Sequence, residues 1–567
     1  MKSQVHASEL SRVRNVLAAA LELRPATLVG LLLVLGTGIV ASGQTAVWTY
    51  HNDNNRTGWN SHETVLTPAN VGSSSFGLLK KVTLDDQVDA QPLYVPNVFI
   101  TTGSHQGNHD VIYVATEGNT VYAIDARSGT VLLQPNFGTP VPYPLGCTNN
   151  GPNVGINSTP VIDLSSNTMY VVIYTNDPTG PAYRIHGLDL GSLADKVSPQ
   201  LVKASHTLTD GTTFSFNATY HRQRPGLLLL DGNVYAGFGS FCDFAANLSR
   251  GWLLGWSAGS LTSLPANQLL DTQPTSFLSF FLSAIWMSGY GPSADDAGNI
   301  LFVTGNSDPF GNTYDGITNI QESVVKVSPD LTTVRDVFTP KNQALLEQTD
   351  ADFGSGGVMV LPDQSGSTPH LAVAAGKVGS MFVMNEDNLG GYSTVRNNVL
   401  AAYNIGNCWC GPSYFVDPDG AARVVSSGGK SIKVWKLQTS PKVALTNITS
   451  SGSVGGGQTG GFFTSISSNG SSNPIIWSLS HPAGPAHTVS LYAFNPDSSG
   501  SNMKRLLKVA AGNWPNLDGN ANLVPVVADG QVFVASNMQL RIFGLKSSAS
   551  KLGGAHATAA RAETDRH

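Results

Sequence analysis

The stretch Thr120-Val121-Tyr122-Ala123-Ile124-Asp125-Ala126-Arg127-Ser128-Gly129 decides how the chain is read. A short run of β-branched and aromatic residues ends at an aspartate and turns at Ser128-Gly129. That is the signature of a strand closed by a tight turn. Two similar runs lie upstream, Gln91-Pro92-Leu93-Tyr94-Val95 and Val111-Ile112-Tyr113-Val114-Ala115. Together they form one unit: a small or proline opening, then strands separated by turns.

The unit recurs along the chain. It reopens at Thr159-Pro160, Arg224-Pro225-Gly226 and Gly291-Pro292, then near Gly357, Gly411-Pro412, Thr464 and Val524-Pro525. The openings fall roughly 50 to 70 residues apart, the period of a repeat architecture. Helical periodicity is weak throughout. Eight such units predict an all-β fold, an eight-bladed β-propeller with four-stranded antiparallel blades. One sheet cannot bury both faces alone, and radial packing buries them. A row of sandwich domains would need linkers, and none is visible. Residues 76–84 are expected to pair with the last unit, residues 530–543, and so close the ring.

Composition agrees. The chain has 567 residues, 60 glycines, 41% hydrophobic and 12% charged residues, and a formal net charge of −6. It is rich in turns and carries no basic footprint for nucleic acid. Arg12, Arg14 and Arg24 precede or flank an apolar run over residues 26–41, with Ala41 and Gly43 spaced as at a signal-peptidase site. The expected organisation is a signal peptide over 1–43, a propeller over 45–545 and a polar tail over 546–567. The chain is expected to be exported, periplasmic or extracellular, with an uncleaved N-terminal anchor as the alternative. A membrane span needs about 20 apolar residues, and this run is shorter. Cys147, Cys242, Cys408 and Cys410 are an even set that suits disulfides in an exported chain. Cys408-Trp409-Cys410 has no second pair to complete a zinc site.

The unit at 120–129 resembles the repeat of pyrroloquinoline quinone (PQQ) propellers. Trp48, Tyr50, Asn52, Arg56-Thr57-Gly58, Leu66, Asn70-Val71 and Leu79 resemble the opening of quinoprotein alcohol dehydrogenases. The resemblance covers residues 45 to 545. It implies a PQQ lying in the central funnel on a tryptophan floor, bridged by calcium or a lanthanide to acidic side chains. Ile285-Trp286-Met287 resembles the floor segment, so Trp286 is the expected floor. Asn306 and Asp243 take the places of two metal ligands, although aspartate is shorter than the family's glutamate and Ser307-Asp308 departs from the family turn. Asp350 matches the catalytic base and Asp352 the extra metal carboxylate, after a loop from Pro340 that is longer than the family's. In that longer loop either carboxylate fits the base. Lys377 matches the cation that bonds the quinone oxygens.

Two family features are missing. No adjacent cysteine pair is present, and no Cys-x-x-Cys-His signature. Electrons would then leave to a separate acceptor. Cys147 and Cys242 could bridge near the funnel. The expected substrate is a small alcohol or sugar. The competing reading is a non-catalytic propeller that binds an envelope protein or a glycan. The two differ in one respect: a dehydrogenase brings Trp286, Asp243, Asn306, Asp350 and Lys377 to the ring axis, whereas a scaffold scatters them.

Overall fold

The computed structural model describes residues 45–149, 151–275, 280–307, 314–458, 460–496 and 502–546. The signal segment, nearly all of the polar tail and Asp308 lie outside them. Among the described residues, eight antiparallel sheets form an eight-bladed propeller, mostly with four strands per blade. Blade 1 is the expected first unit, with strands Leu93–Ile100, Gly107–Ala115, Val121–Asp125 and Val131–Leu133. The innermost strands of the next seven blades begin at Val161, His221, Ser293, Val358, Ser413, Thr464 and Val526. Each lies at or close to an opening read from the sequence.

Ring closure follows the expectation. Phe76–Thr83 pairs antiparallel with Gln539–Leu545 and completes blade 8 beside Val526–Ala528 and Gln531–Ser536. Blade 8 then packs on blade 1 through Val82, Ile112, Val114, Ile124, Phe533 and Ile542, all buried. Each such side chain contributes about 1.5–3 kcal/mol when fully buried.

Residues 47–60 do something the sequence reading left unassigned. They thread the channel and bond to the innermost strand of every blade in chain order. Val47 pairs with Tyr94, Trp48 accepts from the Ile162 amide, and the Asn54 side chain donates to Leu229 O. Asn54 O and Asn55 O take the Ala294 and Val360 amides, and Thr57 O and Gly58 O take those of Tyr414 and Ile466. The Asn60 side chain reaches Val527 O. Inner-strand groups that would otherwise face an empty channel are thereby satisfied. Arg56, fully buried, is the hub of this plug.

Two local departures shape the site. The inner strand of blade 3 is split into His221–Gln223 and Leu228–Leu230, both paired with Asn233–Ser240. Pro225 has no amide to donate, so the ladder breaks there and residues 224–227 leave the sheet. The long loop between Pro340 and Asp350 holds a short helix, Gln343–Gln348, which accounts for its extra length.

Candidate functional site

In an antiparallel blade, the start of the first strand and the end of the second lie at the same end. Those two places supply the walls of one cavity of about 520 Å³. Trp286, Asp350, Asp352 and Trp409 precede inner strands, while Asp243 and Lys377 sit in turns between second and third strands. Five of the six expected site residues, Trp286, Asp243, Asp350, Asp352 and Lys377, line this cavity. Asn306 is not among the lining residues. Its backbone amide donates to Asp352 Oδ1 at 3.0 Å.

Trp286 is held from behind by Gly305. A Cβ at that position would lie 2.9 Å from the indole Nε1, so only glycine lets the ring sit there. One indole face looks to the Lys377 ammonium, 5.8 Å from the ring centroid. Lys377 is engaged on three sides: by Asp352 Oδ2 at 2.6 Å, Asp350 O at 2.8 Å and Asp350 Oδ1 at 3.0 Å. Burial pulls its ammonium down, but Asp352 and Asp350 hold it above its ordinary value.

The two aspartates are not equivalent. The Asp352 side chain is 5% exposed, and both of its oxygens are engaged, by Lys377 and by the Asn306 amide. Burial raises its carboxyl against the pull of Lys377. The Asp350 side chain is 72% exposed and is tied to Lys377 through Oδ1. Asp350 faces the cavity with Oδ2 open, while Asp352 serves as the buried counterion. Of the two carboxylates, Asp350 is the one that presents an oxygen to the cavity.

The expected metal ligands do not form a cation cage in this arrangement. Asp352 is committed to Lys377, Asn306 is not among the lining residues, and Asp243 accepts from Ser240 Oγ. Among the described residues, no group of three or more His, Cys, Asp or Glu side chains is assembled to hold a metal. A hard cation takes six to eight oxygen ligands when it is calcium. It would have to displace Lys377 from Asp352.

Sequence reasoning missed two cations. Arg222 lines the cavity and is anchored by Asn157 Oδ1 at 3.0 Å from Nε and 2.9 Å from Nη2. Asn157 in turn bonds Glu117, which is fully buried and lies well above the usual carboxylate range through desolvation and the charge of Asp89. Arg224 stands in the break of blade 3 and makes no hydrogen bond or ion pair with a described residue. Its guanidinium lies 5.8 Å from the Trp286 centroid. Burial, and then the like charge of Arg222, push it down to about 9, so it stays charged at neutral pH. The one available signal was an arginine beside the proline that opens the third unit.

Both disulfides reach this site. Cys147–Cys242 ties the connection into blade 2 to the turn of blade 3 that carries Asp243. Cys408–Cys410 closes around Trp409, a lining residue. Cys242 and Asp243 both have positive φ, 51° and 56°, a conformation that costs of order 1–3 kcal/mol each when held.

Asp243 faces the cavity and is exposed to it, yet protein surrounds it. Its carboxyl is pushed up to about 6 by desolvation, with Asp352 and Asp350 adding to the rise. A carboxyl raised in the folded state binds protons there that the unfolded chain has already lost. Stability therefore falls as pH rises from about 4 to about 6. The Asp243→Asn variant keeps an acceptor for Ser240 and has no charge to desolvate. Its melting temperature is expected to match the wild type below about pH 4 and to exceed it above about pH 6. Equal melting temperatures at both ends would contradict the raised carboxyl.

The fold is shared with known enzymes. Over 89% of this chain and 81% of the other, it is similar to quinohemoprotein alcohol dehydrogenase from Comamonas testosteroni, with a TM-score of 0.55 and 12% identity. The quinohemoprotein alcohol dehydrogenase ADHIIG from Pseudomonas putida HK5 gives 0.57 and 13% over the same shares. A europium-containing methanol dehydrogenase gives 0.57 and 10%, covering 88% of this chain and 98% of the other. No protein-family model and no curated protein sequence matches the chain. At these identities the likeness establishes the fold.

Proposed function

We propose that this chain, a propeller with the quinoprotein alcohol dehydrogenase fold, is an exported dehydrogenase that holds PQQ in the cavity and oxidises a hydroxyl of a small alcohol or sugar. The observation that carries this reading is convergence. Five residues drawn from four separate loops, expected from the resemblance, line one cavity. A scaffold without a site has no reason to gather them.

The side chains suit a planar anionic quinone. Trp286 offers an aromatic face for offset stacking. Lys377 places positive charge where the quinone oxygens would lie, and Arg222 and Arg224 face the same space. Bound PQQ would supply the two-electron acceptor. Asp350 Oδ2 is the open acceptor for the hydroxyl proton of the substrate. Lys377, fixed by Asp352, stabilises negative charge that develops on the cofactor side. Electrons held by bound PQQ would pass to a separate acceptor.

Lys377 tests the cofactor half of the reading. Lys377→Met removes the charge and leaves Asp352 buried without its partner. PQQ retention in equilibrium dialysis is expected to fall at least about tenfold, since a charged hydrogen bond is worth about 1.5–3 kcal/mol. Lys377→Arg keeps the charge and most of the retention. Equal retention in wild type and Lys377→Met would remove PQQ from this cavity.

A further inference from the structure

Trp409 was not expected to face a ligand, and the structure gives it a dedicated mount. Cys408 and Cys410 are buried and joined to one another, so Trp409 is the single residue inside a small covalent ring. The ring is fastened on several sides. Ser355 Oγ donates to Cys408 O at 2.8 Å. The Trp409 amide donates to Gly460 O. Gly460 leaves room for the indole: a Cβ there would lie 1.8 Å from Cε3 of Trp409.

So mounted, the indole looks at the same point as Trp286. The Lys377 ammonium lies over both rings, 5.8 Å from the Trp286 centroid and 5.7 Å from that of Trp409. Both rings line the cavity, so a flat ring that enters it beside the Lys377 ammonium meets two aromatic surfaces. Arg224 adds a charge requirement. Its guanidinium is beside Trp286 and has no hydrogen bond or ion pair to a described residue. A planar fork of donors with no protein acceptor matches a carboxylate.

We propose that Trp286 and Trp409 form an aromatic clamp for a planar aromatic carboxylate, with Trp409 held in place by the Cys408–Cys410 disulfide and the carboxylate received by Arg224. The clamp deepens the PQQ reading by naming how the cavity grips its ligand, but it does not depend on redox chemistry. Trp409 is a ligand-contacting residue; the two cysteines are positioning residues that act through it. Ligand binding is therefore sensitive to thiols, although neither sulfur touches the ligand.

The test is calorimetric binding to the purified protein with two probes, PQQ and the redox-inert quinoline-2,4-dicarboxylate. Trp409→Ala weakens both probes about 10- to 100-fold, from lost stacking and lost buried area. Trp409→Phe restores binding to within a few-fold. Cys408→Ser/Cys410→Ser, checked for folding by its melting curve, weakens both probes as Trp409→Ala does. Arg224→Met weakens the dicarboxylate and leaves uncharged quinoline unchanged. Wild-type affinity in folded Trp409→Ala overturns the clamp, whatever the cysteine variant does. So does failure of both probes to bind the wild type. If the dicarboxylate follows this pattern and PQQ does not bind, the clamp stands and the quinone cofactor falls.

Discussion

Asp350→Asn lowers turnover of the PQQ-loaded protein roughly 10²- to 10⁴-fold, the usual worth of a general base, while PQQ stays bound. The two halves of this result come from the two roles of the acidic loop. Asp352 holds Lys377 at 2.6 Å and remains in the variant. The Asp350 backbone oxygen, 2.8 Å from the same ammonium, remains too. The cation loses the charge of Asp350 Oδ1 but keeps its two shorter contacts, so it stays in place. The open carboxylate oxygen is lost, and the amide that replaces it cannot take a proton. Asp352→Asn has the reverse signature. It weakens the buried partner of Lys377, so retention of PQQ falls along with turnover. Dye-linked turnover and dialysis, measured on both variants, separate the roles. Full turnover in Asp350→Asn would move the base elsewhere, and Asp243 would be the next carboxylate to test.

Arg56→Ala is expected to be the most destabilising substitution in the fold. Arg56 has 0% exposure, and no carboxylate hydrogen-bonds its guanidinium. It donates to Pro292 O at 2.9 Å, Leu227 O at 3.1 Å, Tyr50 O at 2.8 Å, Asp53 O at 3.2 Å and Thr49 Oγ1 at 2.8 Å. Its own carbonyl accepts from Tyr290 Oη at 2.9 Å. One side chain thus ties the plug to blades 3 and 4, next to the segments that carry Arg224 and Trp286. Truncation strands the buried carbonyls of Pro292, Leu227 and Tyr50, at about 1–3 kcal/mol each, whereas Asp53 O keeps the backbone amide of residue 56. The loss of stability should exceed about 4 kcal/mol, the range reserved for broken buried networks. Arg56→Lys keeps one charge but not the fork of donors, so it rescues only part of the loss. A denaturation midpoint in Arg56→Ala close to that of the wild type would mean the plug is not what closes the channel.

The ring was legible because its signals are local. Strand runs and Gly or Asn turns repeat at each opening, and the partner of residues 76–84 needed only an unpaired edge. Trp286, Asp350 and Lys377 were legible because the short segments that carry them resemble those of a known family, and loops at one end of the blades bring them together. Other features have no local trace. The plug uses partners up to 467 residues away, as in the bond from Asn60 to Val527. The division of labour between Asp350 and Asp352 depends on which carboxylate is buried, and the spacing of the two is the same either way. Asn306 shows the limit of a matched motif: its residue is present, but it does not line the cavity and its backbone amide braces Asp352. Arg224 matters because it lacks a partner, and no pattern of residue types encodes a missing bond. Trp409 was visible between two cysteines, where the cysteines drew the attention and the residue they mount did not.

The most direct test of the account is a redox titration in the cavity itself. Purified protein is incubated with PQQ, dialysed, and its absorption spectrum recorded before and after a small alcohol or sugar is added without an external acceptor. The account predicts stoichiometric PQQ retained after dialysis, and its conversion to the reduced spectrum by at least one substrate of this class. Folded protein that emerges from dialysis with no PQQ would contradict the quinoprotein reading and leave a propeller whose cavity binds something else.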